Sequence, residues 1–410
     1  MIRTHILPCG LPRAEADTLN RESGRIYTDV LVWHYRIYRR TGHWLSPGAD
    51  ERLNDSFGPS TLHAHSRDAA QQGFHKACKT ARTNRAQGRD VRYPHRRKFY
   101  RTTVWKATGM KQEGDRLRLS RAKGLEPIWV VLPPELAALP PASFVEMRLV
   151  YEPISRRHQW HLVVDDGRVA PEPSGLSTLA ADLGEIHPAA VANEQGAVVI
   201  FTARELRALN QYRNKKLASL QAAMARKQKG SRRYKRLHRR KTFLLARNNR
   251  QRRDSEHKVT RTIANHAKAE GAKRLVVGDV RTIGNGKRLN TNAQQKVSGW
   301  SHGRQIQYLT YKLAAAGIAL ERQSEAYSSK TCPCCGTHNK PKGRQYRCAR
   351  CGFVGHRDAV GATNQVSKAV HGEYGHVQPR SVRYRRPFRR RSSRDTGHVA
   401  RGQPREAAPL

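Results

Sequence analysis

The C-terminal half of the sequence predicts an α/β fold, a mixed five-stranded sheet with helices on both faces and a small metal-binding insertion. After Leu176 the apolar runs follow the order of three strands, a long helical stretch, a strand, a helix and a further strand. Two Cys-x2-Cys pairs and a final helix come next. Lys plus Arg number 78 against 32 Asp plus Glu, a net charge of +46. Because so many positive charges repel one another in a compact chain, we expect a polyanionic partner that neutralises them.

Residues 1–175 are predicted to form a small antiparallel barrel or sheet with inserted helices. "RIYTDVLVWHYRIYRRTG" and "STLHAHSRDAAQQGFHKACKTARTNRAQG" have helical spacing of apolar residues. The β-branched and aromatic runs "KFYRTTVWKA", "PIWVVLP", "SFVEMRLVYEP" and "QWHLVVDD" follow between turns. The Pro/Gly segment "DDGRVAPEPSG" closes the region as a linker.

Residues 176–330 contain the predicted strands and helices of the mixed sheet. "STLAADLG" and "AAVANEQGAVVIFTA" predict three strands, and "RELRALNQYRNKKLASLQAAMA" predicts an amphipathic helix. The stretch Arg226–Arg253 has 14 basic residues and no acidic one, and a helix through Val259, Ile263 and Ala267 follows it. "KRLVVGDV" and "IALERQSEA" predict strands on either side of the helix "RQIQYLTYKLAAAG". This is the order of a ribonuclease-H-like fold.

The four paired cysteines predict a structural zinc site within residues 331–352. Cys332, Cys335, Cys348 and Cys351 form two pairs of the spacing that closes a tetrahedral thiolate site around Zn²⁺. Cys334 is a poorer ligand because it would leave one residue between the first two thiolates. Unligated thiols in a loop are the alternative. Four thiolates leave no open coordination position, so this zinc would have no catalytic role.

The remaining residues predict a last helix over 353–371 and a disordered basic tail over 372–410. "RSVRYRRPFRRRSSR" has too few apolar residues to fold alone. The sequence shows no secretory signal, no apolar run long enough for a membrane span and no lipid anchor. Cysteines concentrated at a metal site indicate a reducing compartment. We therefore expect a cytoplasmic protein without a membrane partner.

Two acids are candidate ligands for a second, hydrolytic metal site. Asp182 ends an apolar strand at a turn, and Asp358 opens the last helix in "GHRDAVGATN". Cleavage of a phosphodiester by two Mg²⁺ ions requires several converging carboxylates. The alternatives are a turn-capping role for Asp182 and a favourable interaction of Asp358 with the helix dipole. Glu185 and His187 are interpreted as turn residues.

The C-terminal half resembles the RuvC-type nuclease of the TnpB family, RNA-guided endonucleases of insertion sequences that are related to type V CRISPR effectors. Six segments between about Ser177 and Val370 carry the resemblance: "AADLGEIHPAAV", "RRDSEHKVTRTIANHA", "RLVVGDV", "WSHGRQIQYLTYKLAAAGI", "EAYSSKTCPCCG" and "CARCGFVGHRDAVGATN". The N-terminal half matches in architecture alone, as a wedge-like barrel with an inserted recognition region. The resemblance implies a guide RNA, a double-stranded DNA target and catalytic Mg²⁺, and a location in the bacterial cytoplasm, associated with the nucleoid.

One position departs from the family pattern. The family has a Glu before an Asp at the end of the fourth strand, where this chain has Gly278 followed by Asp279. A shift of one residue turns a strand side chain to the opposite face, so Asp279 is only the alternative second acid. Glu325, placed on the fifth strand, is expected to reach the space left at Gly278, and the resemblance supports a relocated Glu. A solvent-facing Glu before a loop is the alternative.

The sequence therefore predicts an RNA-guided DNA endonuclease with Asp182, Glu325 and Asp358 as Mg²⁺ ligands. The basic stretch Arg226–Arg253 would line a channel for the nucleic acid. Gly278 keeps open a guided DNA-binding repressor that has lost cleavage. A DNA-binding protein without a guide RNA is the other alternative.

Overall fold

The computed structural model describes residues 1–52, 58–280, 290–341 and 343–387. The contacts divide the chain into two compact units, Met1–Val169 and Ala170–Leu410. The boundary between them falls inside the Pro/Gly segment that the sequence predicts as a linker. No helix among the described residues has the length and apolarity that crossing a membrane requires.

In the part of the first unit that the structure describes, three α-helices lie between its first and second strands. They are α1 (Arg13–Thr41), α2 (Pro47–Arg52) and α3 (Ala64–Ala86). Helix α1 buries an apolar stripe that includes Leu19, Ile26 and Val30, and it ends where Gly42 adopts a left-handed conformation and donates its N–H to the Tyr38 carbonyl. Helix α1 is longer than the sequence predicts, whereas α3 lies inside the predicted stretch.

The strands of the first unit form two antiparallel sheets around a shared apolar core. They are β1 (Ile2–Pro8), β2 (Thr103–Lys106), β3 (Met110–Glu113), β4 (Arg116–Leu119), β5 (Ile128–Val131), β6 (Phe144–Glu152) and β7 (Arg157–Asp165), with a short helix α4 (Pro134–Ala137) before β6. The orders are β1-β7-β6-β2 and β3-β4-β5. The core includes Trp105 and Trp160, whose rings meet edge to face at 5.6 Å. The sequence analysis predicted the antiparallel sheet but not β1, β3 or β4.

Among its described residues, the second unit has eight strands and five α-helices. The strands are β8 (Ser177–Asp182), β9 (Ala189–Ala192), β10 (Ala197–Phe201), β11 (Ala272–Gly278), β12 (Ala319–Gln323), β13 (Gln345–Arg347), β14 (Val354–His356) and β15 (Ser381–Arg385). The helices are α5 (Arg204–Ala225), α6 (Arg232–Ala269), α7 (Thr291–Gly299), α8 (His302–Ala314) and α9 (Arg357–His371). The basic stretch and the following apolar helix, predicted as separate segments, form the single 38-residue helix α6.

The main sheet of this unit is mixed and has the order β12-β11-β8-β9-β10-β15. Strand β11 pairs in parallel with β8 and β12, whereas β9 pairs antiparallel with β8 and β10. Helices α6 and α8 pack on one face through residues such as Ile263 and Leu309. Helix α9 packs on the other face through Ala359, Ala362 and Val366. The predicted mixed sheet with helices on both faces is therefore confirmed.

The prediction of a disordered tail from residue 372 is wrong for residues 372–387. Residues 381–385 form β15, a sixth strand parallel to β10, and Val377 is buried. The alternating sequence Ser-Val-Arg-Tyr-Arg gains backbone partners at a free sheet edge, which composition alone does not show. The predicted tail over 388–410 lies outside the described residues.

The cysteine pairs lie in a small insertion between β12 and α9. Strands β13 and β14 form its hairpin, which extends to His356 and so beyond the predicted boundary at 352. Cys332, Tyr346 and Cys348 pack in one cluster with Val360 of α9. The insertion is therefore attached to the helix that begins with the candidate acid Asp358.

Candidate metal centre

Asp182 ends β8 on the sheet face that α9 covers. A Cβ atom at Gly361 of α9 would meet the Asp182 Oδ2 atom, so only a glycine lets the helix approach this carboxylate so closely. Burial raises the pKa of Asp182 well above its usual value, and the carboxylates of Asp358 and Glu325 raise it further. The guanidinium of Arg357 acts in the opposite direction. The three predicted acids therefore lie close enough to interact electrostatically.

Glu325 occupies the space that the missing side chain of Gly278 leaves. A Cβ atom built at Gly278 would lie 2.8 Å from Glu325 Oε2 and 3.0 Å from Glu325 Cβ. Its backbone position differs from the prediction, because β12 ends at Gln323 and Glu325 lies in the segment that follows. The strand ends there because the backbone of Ala326–Lys330 turns.

Polar contacts fix this segment against α9. Gln323 donates its Nε2–H to the Gln365 carbonyl at 2.6 Å. Asn364, which is fully buried, donates to the carbonyls of Ser328 at 2.7 Å and Thr331 at 2.8 Å. These bonds bring the chain on either side of the cysteine insertion back to one helix, so Glu325 and Asp358 approach each other.

Asp358 lies in the first turn of α9 and accepts a charged hydrogen bond from the Arg344 Nη1 of the cysteine insertion. The backbone N–H of Asp358 donates to His356 Nδ1 at 3.2 Å, so His356 is the N-cap of the helix. The position near the helix dipole, which the sequence analysis gave as the alternative, is therefore real, but the carboxylate also faces Asp182.

Asp279 is directed to the other face of the sheet. Its neighbour Val277 packs with α6 and α8, and alternation along the strand places Asp279 on that side. Burial lowers the pKa of His302, the first residue of α8, and the Asp279 carboxylate opposes this effect. The structure thus separates Asp279 from the acids that surround Asp182.

The four paired cysteines have the geometry of a tetrahedral zinc site. The Sγ atoms of Cys332 and Cys351 are 3.6 Å apart, as are those of Cys335 and Cys348. Zn–S bonds of about 2.3 Å in a tetrahedron place sulfurs about 3.8 Å apart. Backbone N–H groups of Cys351 and Arg350 help to lower the pKa of Cys348 to about 6, which favours the thiolate that zinc binds. Cys334 is exposed and outside this group.

Sequence reasoning missed two histidines and a tyrosine beside Asp358. His187 and His356 each place a ligand atom within 4.8 Å of an Asp358 oxygen and of each other. Burial lowers the pKa of His187 to about 4. Tyr384 of β15 has its ring centroid 6.2 Å from that of His187 and 6.0 Å from that of His356. The only sequence signal was the nearness of His187 and His356 to the two candidate acids.

Two family models match the sequence around this centre. The OrfB_IS605 family model, described as a probable transposase, matches residues 161–284, which include Asp182 and β11. The Cas12f1-like TNB domain model matches residues 302–365, which include Glu325, the four cysteines and Asp358. Residues 161–284 and 302–365 are thus similar to a transposase family and to a domain of Cas12f1-like proteins, and together they span less than half of the chain. A search of curated proteins gives no match.

One solved structure shares the fold of this chain, and others match it with lower scores. A cryo-EM structure of a Cas12f1–sgRNA–target DNA complex matches with a TM-score of 0.57 at 12% identity, over 87% of this chain and 83% of that chain. A CRISPR–Cas12f ternary complex gives a TM-score of 0.39 at 14% identity, over 86% and 80% of the two chains. CasPhi-2 (Cas12j) bound to crRNA and phosphorothioate-DNA gives 0.44 at 11% identity, over 91% and 92%. The likeness in fold rests on the first of these.

Proposed function

We propose that this TnpB-like protein is an RNA-guided, Mg²⁺-dependent DNA endonuclease. One observation carries the proposal: Asp182, Glu325 and Asp358, far apart in sequence, converge on one face of the sheet, with Glu325 in the space left by Gly278. A cluster of three partly buried carboxylates is unfavourable without cations, because each negative charge raises the free energy of the others. Divalent ions with a preference for oxygen ligands would remove this cost.

The residues of the centre have distinct proposed roles. Asp182, Glu325 and Asp358 would hold two Mg²⁺ ions, which supply activation of a water molecule and stabilisation of the leaving oxygen in phosphodiester hydrolysis. Gly361 and Gly278 allow the close approach of Asp182 and Glu325 to their neighbours. The four paired cysteines would bind a structural Zn²⁺ that holds the insertion against α9.

The proposed partners are a guide RNA and a double-stranded DNA target. The matching Cas12f1 structure contains an sgRNA and target DNA. Helix α6 exposes basic side chains along its first half, Arg232–Arg253, without an acidic residue to balance them. Such a surface binds the phosphate backbone of a duplex by charge and shape, while base pairing to the guide supplies sequence selectivity. The sheets of the first unit and the inserted α1–α3 would contribute the wedge and recognition regions.

Cleavage of a guide-matched plasmid in Mg²⁺ tests the proposal. Glu325→Ala is expected to lower the cleavage rate at least about 100-fold, because it removes a metal ligand. Asp279→Ala is the matched control and is expected to change the rate less than about threefold, because it faces α8. Loss of cutting in Asp279→Ala but not in Glu325→Ala would refute the assignment.

Binding measurements separate the two alternative functions. A copurified RNA of discrete length with guide-matched DNA binding but no cleavage by the wild type would indicate a guided repressor. Salt-sensitive DNA binding without any RNA would indicate an unguided DNA-binding protein.

A further inference from the structure

A second group of metal-ligand type lies beside the three carboxylates and is distinct in composition. His187, His356 and Asp358 place one potential ligand atom each within 4.8 Å of the others. Among the described residues, the Cys332 cluster is the only other such group of Cys, His and acidic side chains. Two imidazoles and one carboxylate are the donors that borderline transition metals prefer, whereas Mg²⁺ prefers oxygen alone.

The position of His187 is fixed by a tight turn after β8. The Gly184 N–H donates to the Pro188 carbonyl at 3.4 Å. A Cβ atom at Gly184 would lie 2.7 Å from the His187 carbonyl oxygen, so the turn requires a residue without a side chain. The turn brings the imidazole inward, where His187 is only 7% exposed.

His187 has a buried nitrogen that no described group satisfies. Its Nδ1 atom has no hydrogen-bond partner in the described chain. A buried polar atom without a partner is costly, so such atoms in folded proteins usually have a ligand or an ordered water. A ligand atom of the same imidazole lies within 4.8 Å of ligand atoms of His356 and Asp358.

The other two members of the group are held by the start of α9. The His356 Nδ1 atom accepts the Asp358 N–H at 3.2 Å, so its lone pair is engaged by the helix cap, and a metal bound at this nitrogen would replace that hydrogen bond. The rings of His187 and His356 are 6.0 Å apart, and Tyr384 of β15 packs against both. These contacts restrict the rotation of both imidazoles and so prepare the group for a ligand.

We propose that His187, His356 and Asp358 form a binding site for a divalent transition metal of the Zn²⁺ class, separate from the thiolate site. Bonds of about 2.0–2.2 Å to N and O would place the three ligand atoms about 3.4 Å apart in a tetrahedral site, so a small rotation of the side chains completes the set. Three protein ligands leave one coordination position open to water or to a phosphate oxygen.

Arg344 would compete with the metal for Asp358. Its guanidinium donates to Asp358 Oδ2, and its positive charge also acts on His187. Arg204 acts on His187 in the same sense. An ion bound to Asp358 would therefore compete with Arg344 of the cysteine insertion. Metal binding at the histidines would then alter the contact between Asp358 and the hairpin that contains β13.

Equilibrium dialysis of the full chain against micromolar Zn²⁺, followed by metal analysis, tests the site without reference to nuclease activity. We expect two Zn²⁺ per wild-type chain, and one in His187→Ala. His371→Ala is the matched control: its ring lies 4.7 Å from His376 in the same unit, outside any such group, and two ions are expected to remain. The proposal would be overturned if the wild type bound only one Zn²⁺ per chain. It would also be overturned if His371→Ala lost an ion while His187→Ala kept both.

Two further variants separate this site from the three-carboxylate centre and from misfolding. Glu325→Ala should keep both ions, and loss of the second ion there would place it in the carboxylate centre instead. Arg344→Ala should lower the dissociation constant of the second Zn²⁺ roughly two- to fivefold. This factor corresponds to the free energy of one partly exposed ion pair. Weaker binding in Arg344→Ala would also contradict the proposal.

Co²⁺ in place of the second ion gives an independent signal. Added to protein with Zn²⁺ already in the thiolate site, Co²⁺ should give weak visible bands without thiolate charge-transfer absorption, and His187→Ala should abolish these bands. Intense near-ultraviolet absorption would place the ion on the cysteines and refute the histidine site.

Discussion

Gly278→Ala tests whether the absence of a side chain at the end of β11 positions Glu325, the proposed metal ligand. The added Cβ would lie 2.8 Å from Glu325 Oε2 and 3.0 Å from Glu325 Cβ. The carboxylate can rotate away, but the Cβ atom is fixed by the backbone and yields only if the segment after β12 moves. The substitution should therefore displace Glu325 without removing any of its atoms.

The expected effects follow from these two contacts. Overpacking at one site costs about 1–3 kcal/mol of unfolding free energy. A displacement of about 1 Å in a group that binds a reacting centre costs up to about 100-fold in rate. We expect Gly278→Ala to cleave guide-matched plasmid about 10- to 100-fold more slowly than the wild type, with a lower midpoint of thermal unfolding.

The experiment pairs this variant with one control and one companion. Gly303→Ala in α8 has no atom within 4 Å of the added Cβ, so it should leave cleavage unchanged and stabilise the protein by up to about 1 kcal/mol. Glu325→Gly removes both clashing atoms. The stability cost of Gly278→Ala should then disappear in the Glu325→Gly background, a coupling of about 1–3 kcal/mol.

Two results would refute this reasoning. Cleavage by Gly278→Ala within about twofold of the wild type would mean that Glu325 does not depend on the space at Gly278. An equal stability cost in both backgrounds would mean that the added methyl group clashes with some other part of the protein.

Three further predictions concern other parts of the second unit. Asp182→Asn should raise the unfolding temperature of Mg²⁺-free protein by a few degrees at neutral pH, because it removes a charge whose pKa the fold raises. The gain should vanish as the pH falls below the unfolded-state pKa near 3.8, because wild-type Asp182 is then protonated in both the folded and the unfolded state. Cys348→Ser should lose the thiolate-bound zinc and lower the unfolding temperature, whereas the exposed Cys334→Ser should keep it, as metal analysis and thermal unfolding would show. Arg239→Gln on exposed α6 should reduce the slope of log affinity for nucleic acid against log salt by about 1, whereas Lys258→Gln, paired with Asp254 at 2.7 Å, should not.

Each of these has an outcome that contradicts it. A gain from Asp182→Asn that persists at low pH would mean that the charge is not its cause. Retained zinc in Cys348→Ser would exclude that thiol as a ligand. An unchanged salt slope for Arg239→Gln would remove this part of α6 from the nucleic-acid surface.

Much of the second unit was predictable because its elements have strong local patterns. The apolar runs of β8 and β11 are buried strands in a mixed sheet, and their apolar composition alone predicts them. The space that Glu325 fills was also predictable, because removing a side chain at Gly278 leaves room on a known face of a strand. The strands needed only periodicity and the spacing of neighbouring strands, whereas the inference about Glu325 also needed the family resemblance, which leads us to expect an acid where this chain has Gly278.

The remaining parts depend on contacts that no local pattern shows. Strand β15 is short and rich in arginine, and it forms because β10 offers it an unpaired edge. The sequence predicts His187 as a turn residue. His356 and Asp358 lie next to it only because the chain comes back to α9 after the cysteine insertion. Arg344 contacts Asp358 because Tyr346 and Val360 pack the insertion onto α9.

The pairing of β15 with β10 has a consequence for the order of events during synthesis. Residues 381–385 leave the ribosome after all the other strands of the sheet, yet Tyr384 packs against His187 and His356. Domains generally fold from the N-terminus as the chain emerges. The first unit can therefore form while the chain is still growing, whereas the edge of the second sheet and the wall of its histidine group stay unfinished until residues 381–385 have emerged.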